Sequence, residues 1–389
     1  MVKVRVHIEP TVINWVIGAI AHDKVPSDVV ATLEKWREGT VQPTFSQVED
    51  LSNRIHIPFG YFFLNSPPKE ELPILEYRTV DSSKAEIPSR ELVDTIHYAE
   101  NIQHWMRNHV ISSGMPKLHF VGTGKNIHST IEFADRFRKD IDLKTDWYSD
   151  CANAANCFTY LRKRLGDIGI LILMNGIVGN NTHRKLDIDE FRAFTLIDDY
   201  APLIFLNGND SDGARLFSLV HEAVHIWLGV ASFYHERDDN ATSTSDVEQF
   251  CNAVTAEILV PNHIFRDKWN KCGQELAKVD IVEKLAIFFR CSGTVIARRA
   301  KDNNYINAVQ YQEIAALAIN SYNKQKEKQK GGGGDFYRTS ISRLDPRFLF
   351  ALDNSIKEGK TQYTDAYRLT NLNRTSFDKI LERVKGISQ

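Results

Sequence analysis

His221-Glu222-Ala223-Val224-His225 puts two imidazoles and a carboxylate within five residues. In a helix, histidines four apart share one face. Neutral imidazole nitrogens so placed suit a zinc ion. Glu222, about 100° around the helix from His221, can take a proton from a water that the ion activates. The implied chemistry is metal-assisted hydrolysis, most often of a peptide bond. The flanking residues are apolar. Leu216, Leu219, Val220, Val224, Trp227 and Leu228 would bury most of a helix that has Asp212 as candidate N-cap and ends at Gly229. Two histidines and a glutamate inside a buried helix are costly without a partner, and a metal ion is such a partner.

A catalytic zinc takes three protein ligands and keeps a fourth position open. The next predicted helix opens on Ser245-Asp246-Val247-Glu248, which has capping-box spacing, and stops at Pro261. It offers Glu248 and Glu257, nine residues apart and so on opposite faces. Asn252, four after Glu248, adds a second polar group to that face and could support a ligand by hydrogen bonding. Glu257 is read as the solvent side. By spacing alone, Glu248 fits a capping carboxylate of the first turn nearly as well. His235, Asp238 and Asp239, between the helices, are read as solvated.

Arg215 through His225, followed by Glu248-Gln249-Phe250-Cys251-Asn252-Ala253-Val254-Thr255-Ala256-Glu257-Ile258-Leu259-Val260-Pro261, resembles the ImmA/IrrE-type metallopeptidases. Arg215, Glu248, Asn252, Ala256, Leu259 and Pro261 match the family pattern. Cys251, Val254 and Thr255 stand where Ala, Phe and Ala are commoner. The resemblance implies that His221, His225 and Glu248 bind the metal and that Glu222 is the general base. It places Asn252 and Arg215 in support of the site. It implies a partner protein as substrate, such as a repressor, with an antitoxin as a further candidate; the imidazole ligands favour zinc, with manganese as the alternative. The motif-bearing part covers residues near 165 to 305.

Elements must hold these groups in place. Residues 168–173, 191–196 and 202–206 read as strands, and residues 281–301 as two short helices broken at Ser292-Gly293. The predicted class is α+β and predominantly helical, with a zincin-like metallopeptidase core and a small sheet, flanked by small all-α units. A strand near the metal helix can pair with an extended substrate or serve only as support. His183, Arg184, Tyr234 and His235 are loop candidates for stabilising an oxyanion.

Three segments are expected: 1–65, 66–323 and 335–389. In the first, residues 33–39, Pro43-Thr44 and Ile57-Pro58 resemble the later half of Xre-type helix-turn-helix domains. Its charges are balanced, which favours docking or dimerisation over DNA binding. Residues 66–165 carry helices near 89–106 and 145–165 and no chemistry. The last segment follows four glycines, Gly331 to Gly334, and is read as a separate small basic unit. Its ten Arg and Lys against seven Asp and Glu give +3, and its two helices about an Asn-rich turn have a helix-turn-helix-like layout, so DNA is a candidate partner. A protein-interaction module or a tail folded back on the protease is the rival.

The net charge of −2 gives no bulk attraction for nucleic acid or acidic membranes. Five cysteines, an odd number without a C-x-x-C pair, point to reduced thiols in a cytoplasm. No signal-peptide pattern and no membrane-length apolar run is present. The sequence assigns no oligomeric state. Two functions compete: a zinc endopeptidase that cuts a specific cytoplasmic partner, and a non-proteolytic regulator or toxin–antitoxin component that binds protein or DNA.

Overall fold

A computed structural model describes residues 4–20, 26–70, 88–234, 246–272, 276–328 and 335–387. The chain divides into two compact units, Met1–Tyr98 and Ala99–Gln389. In the first, helices α1 (Pro10–Ala19), α2 (Ser27–Arg37) and α3 (Phe45–Ile55) and a 3-10 turn at Phe59–Phe63 enclose a core that includes Val12, Val16, Leu33, Leu51 and Phe62. The Pro43-Thr44 signal has a structural role. Thr44 caps α3 in a reciprocal capping box with Gln47, its main-chain N–H donating to Gln47 Oε1 at 2.8 Å.

Helix α4 (Arg90–Ser112) spans the division. The second unit continues with α5 (Thr130–Asp140), a 3-10 turn at Trp147–Asp150, α6 (Ala154–Asp167), β1 (Leu171–Asn175), β2 (Ala193–Leu196), β3 (Leu203–Asn207), α7 (Asp212–Leu228) and β4 (Ser232–Tyr234). Next come α8 (Asp246–Leu259), α9 (Asn262–Lys271), α10 (Lys278–Phe289), α11 (Gly293–Asp302) and α12 (Ala308–Lys328). Helices α13 (Phe336–Arg343), α14 (Pro346–Lys357), α15 (Tyr363–Thr370) and α16 (Arg374–Ile387) complete it. The predicted α+β, mainly helical class is what the chain adopts. The expected helical run from 145 is broken by the 3-10 turn, and α6 starts afresh with Asn153 as its N-cap.

The sheet order is β1-β3-β2-β4. Strands β1 and β3 are parallel, while β2 runs antiparallel to both its neighbours. All of β2 and β3 and most of β1 are buried, as expected for strands covered on both faces. Helix α7 packs against β2, β3, α6 and α8. Strand β1 begins three residues later than its apolar run. Gly169 turns the chain at φ +120°, where a Cβ would also meet Leu118 at 2.7 Å.

The C-terminal helices belong to the second unit, and α13 is docked on β1. Arg162, half-buried on α6, donates to the carbonyls of Ser342, Leu344 and Ile172 at 2.8–2.9 Å. Asp345 caps α14 and accepts the Ile172 N–H at 3.0 Å. One guanidinium and one carboxylate thus satisfy both outward backbone groups of Ile172, closing that edge of the sheet. The glycine run at 331–334 lies outside the described residues.

Candidate metal centre

Helix α7 is anchored at both ends. Ser211, one residue earlier than expected, is the N-cap and accepts the Ala214 N–H at 3.1 Å, while Asp212 is the first helical residue. Gly229 closes the other end with φ +66°. The last carbonyls are bound by neighbours: Val230 N–H to His225 O, Gly122 N–H to Ile226 O and Gly124 N–H to Trp227 O. Trp227, stacked on Phe120, donates its indole N–H to Asp140 at 2.9 Å. These contacts fix the rotation of the helix, and His221, Glu222 and His225 are all buried within it.

The two imidazoles turn toward each other, with Nε2 to Nε2 at 3.2 Å. Glu248, on the first turn of α8, closes the group. Its carboxylate lies 3.1 Å from His221 Nε2 and 3.3 Å from His225 Nε2. The ligand atoms of His221, His225 and Glu248 all lie within 4.8 Å of one another, the one such group among the described residues. Two imidazole nitrogens and a carboxylate oxygen, largely dry, fit a zinc-type ion with one position left over. At a helix N-terminus the carboxylate also sits where negative charge is favoured.

Burial would raise the Glu248 carboxyl, but the hydrogen-bonding imidazoles of His221 and His225 hold it well below its ordinary range. Burial would lower His225, yet the Cys251 thiol and the Glu248 carboxylate beside it carry its pKa upward. Burial pushes Glu222 upward, opposed by the nearby histidines and by Thr195.

Glu222 stands outside the three-ligand group. Thr195 on β2 donates to its Oε2 at 2.5 Å, and Ser232 on β4 donates to its Oε1 at 3.3 Å. Sequence reasoning missed Thr195, Ser232 and Cys251. The available signal was a threonine inside the apolar run Phe194-Thr195-Leu196, since a buried hydroxyl there needs a partner.

Other expected residues fall differently. Glu257, read as solvent-facing, is buried. It accepts from Arg299 at 2.7 Å and from the Asn262 N–H at 3.2 Å. Arg215, six residues before His221, pairs with Asp212 and approaches Met174 Sδ at 3.1 Å. It therefore steadies the start of α7, and among the described residues its side chain makes no hydrogen bond to the cluster. Asn252 makes no side-chain hydrogen bond among the described residues. His183 is exposed. His235, Asp238, Asp239, Ser245 and the side chain of Tyr234 lie outside the described residues.

Residues 167–301 match the family model of the IrrE N-terminal-like domain, a peptidase family. This supports the resemblance for the part that carries the site. Residues 344–383 match a domain of unknown function (DUF8813). No curated protein and no solved structure matches the chain. Among the described residues, no helix is long and apolar enough to cross a membrane.

Proposed function

We propose that this protein is a zinc-dependent endopeptidase that cuts a specific cytoplasmic partner protein, such as a repressor or antitoxin. The observation that carries the reading is the convergence of His221, His225 and the Glu248 carboxylate, with Glu222 held just outside them on the same helix. The peptidase-family match over this segment supports it.

In this reading His221, His225 and Glu248 hold the ion. When bound, zinc polarises a carbonyl and brings the pKa of water toward 7. Glu222 accepts a proton from water and passes it to the leaving amine. The buried walls of α7 and β2 keep bulk water from this carboxylate and strengthen its interactions.

The experiment is a search for new N-termini in a lysate of cells lacking the protein. The lysate is incubated with the purified zinc-loaded chain, with Glu222→Gln, or with the chain plus chelator. Termini produced by the wild type alone are expected. If the three samples give the same termini, the peptidase reading is overturned and the regulator reading takes its place.

A further inference from the structure

Thr195 and Ser232 face each other across two antiparallel strands, in register between β2 and β4. Both are buried. Their hydroxyls reach separate oxygens of one carboxylate, that of Glu222, at 2.5 and 3.3 Å. The Thr195 hydroxyl also lies 3.3 Å from the Glu222 main-chain carbonyl, so β2 holds both the backbone and the side chain of this residue. A cross-strand Val–Val pair would also suit two strands, but it would not aim two donors at one acid.

We infer that Thr195 and Ser232 form a hydroxyl clamp that positions Glu222 as a base and keeps it out of the ligand set. The inference rests on the peptidase reading for its catalytic half only. A carboxylate beside a divalent cation is itself a good ligand. Glu222 is next in sequence to His221 and three residues before His225, buried with both of them. Untethered, it would be drawn to the ion and would fill the position that hydrolysis needs open. The clamp uses two of the roughly four acceptor sites of the carboxylate. The others remain to accept a proton from water. Thr195 and Ser232 are positioning residues, since they act through Glu222.

The test uses the full chain loaded with Co2+, whose visible spectrum reports ligand number and type. Thr195→Val combined with Ser232→Ala should bind one Co2+ more tightly than wild type and with an altered spectrum, because Glu222 joins the ligands. Adding Glu222→Gln should return the spectrum to the wild-type form. Thr195→Ser should keep it throughout. On a cleavable protein, the Thr195→Val/Ser232→Ala pair should lower kcat by about 10–100-fold with KM unchanged, a typical effect of removing an outer partner of a site. Thr195→Ser should restore the rate.

A wild-type spectrum in the cobalt-loaded double variant would overturn the clamp. Should that variant fail to fold, Ser232→Ala alone is read the same way: a shifted spectrum supports the clamp, and an unchanged one overturns it. A wild-type chain that binds cobalt and cleaves nothing would sink the peptidase reading, while the spectral comparison still decides the clamp.

Discussion

Glu257 and Arg299 meet at 2.7 Å inside the protein, on the face of α8 opposite to Glu248. The same guanidinium donates to the Val260 carbonyl, and Arg138 of α5 donates to the Glu257 carbonyl at 2.6 Å. The two glutamates of α8 thus have separate tasks. Glu248 faces the histidines, and Glu257 ties the far end of the helix to α5 and α11.

Removing one partner of this buried pair leaves the other charge uncompensated. Arg299→Leu and Glu257→Ala should each cost about 3–5 kcal/mol in chemical denaturation. Folded Glu257→Ala should still bind one metal ion, as atomic absorption would show. Loss of metal from a folded Glu257→Ala would mean that the wrong glutamate has been placed at the ion.

The metal itself gives a second set of expectations. His221→Ala and Glu248→Ala should each purify with little bound metal, while Glu222→Gln should retain wild-type stoichiometry, because its carboxylate is outside the ligand group. Full occupancy in His221→Ala would remove the assignment.

The docked C-terminus makes a third prediction. Burial lowers the pKa of Arg162, and its guanidinium is held by three carbonyls. Protease cleavage between residues 329 and 334 should therefore leave the C-terminal fragment bound in gel filtration. Arg162→Leu with Asp345→Ala should let the fragment elute alone. Separate elution of the wild-type fragment would show that these contacts do not hold it.

Asp353 offers a pH test within the C-terminal helices. It lies 2.7 Å from both Lys357 and Lys385, joining α14 to α16. Burial would raise its carboxyl, but the hydrogen bonds from the two lysines bring it below the ordinary value of 3.8. A depressed folded-state pKa gives stability that is present above the unfolded value and lost as pH falls through the folded one. Asp353→Asn should therefore be about 0.5–1 kcal/mol less stable than wild type at pH 7, the difference vanishing as pH drops below 3.8. A difference that persists at low pH would locate the effect in packing.

Much of the site was legible in the sequence because it is local. The His221–His225 spacing, the apolar face of α7 and its end at Gly229 all follow from helix periodicity. Glu248 needed one further helix, whose opposite faces left two glutamates to choose between. Three features were not legible, each for a physical reason. Strand β4 is three residues long and shows no periodicity. Glu257 is buried by residues more than forty and more than a hundred positions away, Arg299 and Arg138, so its burial is a matter of tertiary packing. Thr195 and Ser232 look like ordinary strand residues until the register pairs them.

Finally, the candidate ligands come from two helices, with His225 near the end of one and Glu248 at the start of the next. An ion held by both would fasten the chain across the intervening residues much as a covalent cross-link does. Loop-closure entropy grows slowly with length, each doubling adding only ~0.6 kcal/mol. Lengthening the connection after β4 would therefore cost the centre little, provided that Ser232 keeps its register with Thr195.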